Sequence, residues 1–222
     1  MAMAPPRSLA GRMTVWIAAA NLSIFLIFLL TGQAEAAALI GGIIPARFGD
    51  PALFDGLNAV PVWLTPLTAT LIHAGWAHIG FNMFMLLFCG LQVENVFNRW
   101  LTLLLYVVGA YAAALAQWVA DPGSTATYVG ASGAISALIA NYALLYSRQE
   151  IRRVGPLSAN IVRMLWLAAA WIGVQLMLAL AVSTMPGGAG SIGVAAHIGG
   201  FMAGLLLTRP LLHWRFRARP GA

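Results

Sequence analysis

Long apolar runs alternate along the chain with short segments rich in Gly, Pro, Asp and Arg. A helix that crosses a lipid bilayer needs about 20 mostly apolar residues, and six runs approach that length. The pattern therefore predicts an all-α polytopic membrane protein with six spanning helices. These run from about Thr14 to Thr31, Trp76 to Val96, Trp100 to Ala120, Ala131 to Tyr146, Ile161 to Val182 and Val194 to Leu207. The fourth and sixth runs are short, which predicts that one end of each stops below the membrane surface.

The segments around these runs give the predicted domain plan. Residues 1–13 form an N-terminal tail, residues 14–208 the membrane domain, and residues 209–222 a basic C-terminal tail. The connection from about Gly32 to Pro66 contains helix breakers, but its many apolar residues predict that it lies in the membrane interface. The first run has a basic flank and is followed by small residues, as in a signal peptide, yet its length favours a membrane span.

Composition excludes a soluble globular domain. Hydrophobic residues make up 61% of the chain and charged residues only 8%, whereas soluble domains carry roughly 25% charged residues. The net charge of +6 does not indicate a nucleic-acid partner, because the basic residues stand at the ends of apolar runs and not along one face. The single cysteine, Cys89, lies inside an apolar run and excludes a disulfide framework.

The arginines predict the orientation in the membrane. With six spans, Arg47 falls on one side and the other eleven arginines fall on the opposite side. Basic residues accumulate on the cytoplasmic side of membrane proteins, so both termini are predicted to be cytoplasmic. The same distribution supports an even number of spans, and the lipid bilayer is the first expected partner.

Three of the predicted spans begin with polar side chains. They are His78 and Asn82 in the second span, Ser132 and Ser136 in the fourth and His197 in the sixth, with His73 just before the second. The even-numbered spans all run from outside to inside, so these side chains are predicted to lie at one depth. A single polar residue in a span typically joins two helices, whereas three complementary groups at one depth favour a functional site.

The segment Gly130-Ala131-Ser132-Gly133 predicts a nucleophile. Glycine on both sides permits close backbone approach. A serine at a helix N-terminus lies among unpaired N–H groups and the positive end of the helix dipole, which stabilise an oxyanion. The alternative is that Ser132 only caps the helix. The segment differs from the G-x-S-x-G of soluble hydrolases, since Ala134 stands in the last position.

His197 is the candidate base, because a serine hydroxyl needs a neighbouring base to become nucleophilic. Gly200 and Gly204 form a G-x-x-x-G pair, which lets the sixth span approach the fourth closely. The acidic residues lie in loops or tails, apart from Glu94 near the inner end of the second span. A Ser–His dyad is therefore predicted, with neighbouring packing and not a carboxylate orienting the imidazole.

His78 and Asn82 are four residues apart and share one helix face, from which both side chains can donate to an oxyanion. The competing interpretation is a metal site made by His73, His78 and His197. That site lacks a nearby Asp, Glu or Cys partner, and neither a metal nor another cofactor is expected.

Three segments carry a resemblance to a known family: His73-Ala-Gly-Trp-Ala-His78-Ile-Gly-Phe-Asn82, Gly130-Ala-Ser132-Gly133 and Ala196-His197-Ile-Gly-Gly200-Phe-Met-Ala-Gly204. In order and spacing they resemble the signature blocks of bacterial rhomboid proteases, over roughly residues 60 to 208. The resemblance implies a six-helix bundle in the inner membrane, with a Ser–His dyad in a water-filled cavity open to the periplasmic side. It also implies cleavage of single-span membrane proteins near the outer end of their helix.

The resemblance also implies residue roles. By position, Ser132 is the expected nucleophile and His197 the base, and the oxyanion hole is formed by His78, Asn82 and the Ser132 backbone N–H. The expected supporting residues are His73, Gly130, Gly133, Gly200 and Gly204. Members often have Trp-Arg where this chain has Trp63-Leu64, and an aromatic residue where it has Ser136. The second difference predicts a differently or more loosely oriented dyad.

Two other functions compete with proteolysis. One is a catalytically inactive relative that binds membrane helices, and the other is a transporter or channel. Retention of both Ser132 and His197 favours the protease, and the lack of an internal repeat argues against transport. Substrate gating is assigned to the fifth span or to the Gly-rich loop from Pro186 to Gly193, and the sequence indicates neither the substrate nor the oligomeric state.

Overall fold

The computed structural model describes residues 9–54, 56, 58–147, 151–183 and 193–217, and the regular elements in these ranges are helices. We number the longer ones α1 (Met13–Thr31), α2 (Ala34–Gly41), α3 (Trp76–Phe97), α4 (Arg99–Ala120), α5 (Ser132–Tyr146), α6 (Ala159–Ser183) and α7 (Val194–Arg217). Between α2 and α3 the chain forms only short helical turns, at Ala46–Gly49, Pro51–Phe54, Val62–Leu64, Thr65–Thr68 and Ala69–Leu71.

Five helices are long and apolar enough to cross a membrane, namely α1, α3, α4, α6 and α7. The remaining apolar run, the fourth along the chain, forms a shorter helix, α5, with 15 residues. The chain is thus a multi-pass helical membrane protein, and the predicted shortness of α5 is confirmed. The observed starts and ends of α1 and α3 to α6 lie within two residues of the predicted ones.

The prediction that the last span is short is wrong. Helix α7 has 24 residues and continues past Leu207 to Arg217, with Pro210 inside it. Membrane helices tolerate such a proline because neighbouring groups satisfy the freed backbone. The extension is held in place by Arg215, whose guanidinium donates a hydrogen bond to the carbonyl of Phe97 at the end of α3. Most of the predicted C-terminal tail is therefore helical.

Helix α3 contains a single π turn, Leu86–Gly90, between two α-helical parts. Beyond this turn the carboxylate of Glu94 accepts hydrogen bonds from the backbone N–H of Met13 (3.1 Å) and Thr14 (3.0 Å), and from the Thr14 hydroxyl (2.7 Å). These are unpaired donors of the first turn of α1. Glu94, the one acidic residue in the predicted spans, is thus committed to capping α1 and not to the candidate site.

Helices α4, α5 and α7 form the centre of the bundle, which we call the central trio. Their backbones touch at glycines. A methyl group at Gly200 would overlap the carbonyl oxygen of Gly133, and one at Gly204 would overlap the backbone of Ala137. On the other side of α7, a methyl group at Gly199 would lie 2.6 Å from the Ala112 carbonyl oxygen of α4. Small residues of this kind let membrane helices approach closely.

Helix α6 is attached differently. In its membrane-compatible part, Ala159–Met177, Ala168 and Gln175 are the buried residues, which is a smaller share than in α3, α4 or α7. One contact with the trio is aromatic, since the ring of Trp171 stacks on that of Phe201 with centroids 4.9 Å apart. Helix α6 therefore lies at the edge of the bundle and touches the trio through side chains.

Candidate active site

A cavity of ≈ 630 Å³ opens where α3, α5 and α7 begin. Its lining includes the polar side chains His78, Asn82, Ser132 and His197, among mostly apolar neighbours. The structure thus brings together the starts of three helices that the topology predicted to lie at one depth. Segments of the chain between the helices form the other walls of the cavity. Two of these segments are joined by a β-bridge, in which Ile43 and Tyr128 exchange backbone hydrogen bonds of 2.9 and 2.8 Å.

Ser132 and His197 are in direct contact in this cavity. Ser132 is the first residue of α5, and its Oγ lies 2.7 Å from Nε2 of His197. The other ring nitrogen, Nδ1, lies 2.7 Å from Oε1 of Gln175 on α6. An amide oxygen only accepts hydrogen bonds, so Nδ1 carries the proton and Nε2 presents its lone pair to the serine hydroxyl. This tautomer is the one that a general base requires.

Gln175 and Trp171, both on α6, are not among the site residues predicted from the sequence. Packing alone was expected to orient His197, and this expectation is wrong, because the Gln175 amide binds the ring and the Trp171 indole N–H donates to the His197 carbonyl at 3.3 Å. A signal was present, since Gln175 is a polar residue inside an apolar run. It was overlooked because only polar residues near the starts of spans were considered.

A side chain of α4 also binds the backbone next to His197. Gln117 is buried, and its Oε1 accepts a hydrogen bond from the N–H of Ala196 at 3.3 Å. This N–H belongs to the first turn of α7 and has no acceptor within its own helix. The His197 N–H itself donates to the carbonyl of Gly193 at 3.0 Å. Gln117, which the sequence analysis also missed, therefore holds the start of α7 beside the cavity.

His78 presents a donor to the same cavity. Its Nδ1 accepts a long hydrogen bond (3.4 Å) from the backbone N–H of Ala74, which leaves the proton on Nε2. This Nε2 lies against Gly130, where an added methyl group would be 2.5 Å away. Gly130 also has φ +113°, a conformation that side chains disfavour. Glycine at position 130 is thus required both by the backbone and by the histidine ring.

Asn82 completes the group of donors around Ser132. Its side-chain amide donates one hydrogen bond to the carbonyl of His78 at 2.9 Å, and an amide nitrogen carries a second hydrogen. The backbone N–H groups in the first turn of α5, at Ser132 and Gly133, have no acceptor within the helix. All of these residues line the cavity. The arrangement is suited to stabilising a negatively charged oxygen next to Ser132 Oγ.

His73 lies behind the site and not in it. Its ring is buried and meets the His78 ring edge-on, with centroids 5.1 Å apart. It lines a separate small cavity together with residues of α1, such as Phe25. Burial, assisted by the neighbouring His78 side chain, lowers the pKa of His73 to about 4, so this ring is neutral at pH 7. His73 is placed to support His78 by packing.

Two further expectations concern Ser136 and the Gly-rich loop. The Ser136 hydroxyl donates to the Ser132 carbonyl at 2.8 Å, so it bonds to the backbone of α5 one turn below Ser132. Of the loop from Pro186 to Gly193, all but Gly193 lie outside the described residues. In the described part of the chain, no three His, Cys, Asp or Glu side chains come together as metal ligands.

Comparison with known proteins gives consistent matches. Residues 61–214 match the Rhomboid domain family. The Rhomboid-like protein 11, chloroplastic, of Arabidopsis thaliana is 37% identical over 97 residues, which cover 42% of this chain and 33% of that protein. The Rhomboid protease GluP of Bacillus subtilis (strain 168) is 30% identical over 159 residues, 71% of this chain and 28% of that protein. The Rhomboid-related protein 2 of Mus musculus is 33% identical over 141 residues, which cover 61% of this chain and 43% of that protein. The chain thus spans less than half the length of these relatives.

Proposed function

This chain belongs to the rhomboid family, and we propose that it is an intramembrane serine protease in which Ser132 is the nucleophile and His197 the general base. The observation that carries the proposal is the 2.7 Å contact between Ser132 Oγ and His197 Nε2, in a cavity among apolar helices. A serine that only capped its helix would need no imidazole acceptor aligned with its hydroxyl.

The proposed reaction begins when His197 Nε2 takes the hydroxyl proton and Ser132 Oγ attacks the carbonyl carbon of the scissile peptide. The carbonyl oxygen becomes an oxyanion, which accepts hydrogen bonds from the Ser132 N–H, His78 Nε2–H and the Asn82 amide. When the C–N bond breaks, the imidazolium returns its proton to the leaving amine. Water, deprotonated by the same imidazole, then hydrolyses the acyl-serine ester and restores the hydroxyl.

The proposal extends to topology and substrate. Helix α5 would be the fourth of six spans, too short to cross the full bilayer because its first residue lies at the cavity. The arginine distribution supports cytoplasmic termini, so the cavity would open to the periplasmic side of the inner membrane. Its substrates would be single-span membrane proteins, because Ser132 and His197 lie in a cavity at the starts of helices that are long and apolar enough to span a membrane or close to that length. This activity is proposed for the chain as described, which is shorter than its relatives.

The proposal is tested on the full chain in detergent with a fluorophosphonate, which labels a serine only when a base activates it. We expect labelling at Ser132 and cleavage of a single-span reporter protein. Both should vanish in Ser132→Ala and His197→Ala. The matched control is Ser147→Ala, which removes a hydroxyl just after the far end of the same helix and should leave both unchanged.

Two results would overturn the proposal. If the wild-type chain binds the reporter but neither cleaves it nor reacts with the fluorophosphonate, the chain is the inactive, helix-binding type of relative. If Ser132→Ala still cleaves the reporter, the nucleophile lies elsewhere.

A further inference from the structure

We infer that Gln175 is the positioning residue of the dyad, and that it makes the reactivity of Ser132 depend on α6 lying against α7. This inference rests on the proposed function, because it assigns the residue that prepares His197 to act as a base. Nothing in the sequence motifs of the site points to α6, since the three signature segments lie on α3, α5 and α7.

Gln175 is buried and makes a short, direct contact with His197. Its side chain is 4% exposed, and its Oε1 lies 2.7 Å from His197 Nδ1. One turn earlier on α6, Trp171 stacks on Phe201, which lies one turn later on α7. Residues four apart on each helix therefore form two successive rungs between antiparallel helices. The lower rung is aromatic and the upper rung is the hydrogen bond to the base.

The chemistry explains why the upper rung matters. A neutral imidazole has one N–H and one lone pair, and an acceptor at Nδ1 fixes the lone pair on Nε2, facing Ser132. Among the described residues, the titratable side chain that interacts with His197 is that of His78 on α3. The polar neighbours from α4 and α5 are Gln117 and Ser132, which carry no charge. With no carboxylate in this group, the amide oxygen of Gln175 takes the place of the acid in a triad.

Because Gln175 lies on α6, the orientation of the His197 imidazole depends on the position of this helix. This helix is the least buried of the candidate spans, and it meets His197 through the Gln175 and Trp171 side chains. A displacement of α6 by about the length of one hydrogen bond, roughly 3 Å, removes the acceptor. The imidazole is then free to rotate or to change tautomer, while Ser132 keeps its place on α5.

The test compares Gln175→Leu with the wild-type chain, using the rate of fluorophosphonate labelling and the kcat and KM of reporter cleavage. Loss of the acceptor should lower the labelling rate and kcat at least 10-fold, because the wrong tautomer of a catalytic histidine is strongly impaired. The KM should change less than about 2-fold, because Gln175 does not line the substrate cavity. The matched control is Gln92→Leu, the same change at an exposed glutamine of α3, which should leave all three values unchanged.

A second variant, Gln175→Glu, separates positioning from packing. Its carboxylate keeps an acceptor at Nδ1 and favours the imidazolium, which raises the pKa of the base. Since only the neutral imidazole is a base, the acidic limb of the pH–rate profile should move to higher pH. At pH values above this limb, Gln175→Glu should recover most of the activity that Gln175→Leu loses. A merely structural role would leave the pH profile in place.

The outcomes separate this inference from the proposed function. If the wild-type chain and Gln92→Leu do not label, the proposed function fails. If both label, and Gln175→Leu labels at the same rate with Gln175→Glu showing an unshifted pH profile, the positioning role is overturned and the protease remains. A Gln175→Leu chain that does not fold leaves Gln175→Glu to decide, through the pH profile alone.

Discussion

Helix α6 and the central trio both hold His197, but they do so by different means. Within the trio, backbone meets backbone at Gly199, Gly200 and Gly204, and the distance from His197 to Ser132 is set by contacts that no rotamer change can alter. Helix α6 reaches the same histidine through two long side chains, Gln175 and Trp171. Apart from Gln175 and Ala168, the residues of its part Ala159–Met177 are exposed or only partly buried.

The site is therefore rigid in one respect and adjustable in another. The separation of nucleophile and base depends on helix packing and fails only when the fold fails. The orientation of the base depends on one hydrogen bond from the least buried helix. Changes in the trio should therefore appear first as lost stability, and changes in α6 first as lost activity with the fold intact.

The largest expected effect comes from the same substitution placed in each region. In Gly204→Ala the added methyl would overlap the backbone of Ala137, and overpacking costs about 1–3 kcal/mol or more. In Gly173→Ala, on α6, the added methyl meets nothing within 4 Å, and alanine is favoured over glycine in a helix by about 0.5–1 kcal/mol. The Tm in detergent should fall sharply for the first and stay level or rise for the second.

These two alanines also provide a direct check of the comparison. A Gly204→Ala chain with an unchanged Tm would mean that the helices of the trio have room to accommodate a methyl group and are not in direct backbone contact. A Gly173→Ala chain that melts much earlier would mean that α6 is packed more tightly than its exposure indicates.

An intermediate effect is expected at the lower rung of α6. Trp171→Ala removes the ring that stacks on Phe201 and the indole N–H that donates to the His197 carbonyl. We expect the fluorophosphonate labelling rate to fall about 10-fold, the equivalent of about 1.4 kcal/mol, because α6 then holds Gln175 less firmly. The Tm should change little. Trp171→Phe keeps the stacking and should retain most of the activity, and equal losses in the two variants would contradict this explanation.

The smallest effect is expected deep in the trio. The Asn141 amide donates to the Gly204 carbonyl (2.7 Å) and to the Thr208 hydroxyl (2.8 Å). Such bonds between membrane helices are worth about 0.6 kcal/mol on average and up to about 1.7 kcal/mol. Asn141→Ala should therefore lower the Tm slightly. The labelling rate should not change, because position 141 lies about 13 Å below Ser132 along α5. A large loss of activity without a loss of stability would contradict the view that contacts within the trio act on stability first.

The sequence predicts the helices and the contact between Ser132 and His197 for clear physical reasons. Lipid requires long apolar runs, so the starts and ends of α1 and α3 to α6 can be located by composition. Polar residues at the starts of even-numbered spans converge because the topology places them at one depth. The chain order alone therefore predicts that Ser132, His197 and His78 meet.

The remainder depends on helix rotation, which composition does not specify. Gln175 lies in the middle of α6, and only the angle at which that helix faces α7 makes it a neighbour of His197. The extension of α7 was missed because Arg209 and Pro210 are typical of a helix end, while the bond from Arg215 to α3 cannot be predicted from the sequence. The capping role of Glu94 was missed for the same reason.

The π turn Leu86–Gly90 gives the two halves of α3 separate phases. Asn82 and Glu94 are twelve residues apart, and on an uninterrupted α-helix they would point about 120° away from each other. The extra residue taken up by the π turn reduces this angle to about 20°. The π turn therefore brings Asn82 and Glu94 to nearly the same side of α3, although one side chain serves the cavity and the other caps α1 near the opposite end of the helix. Replacing the π turn by α-helix without shortening the chain would turn Glu94 about 100° away from this side.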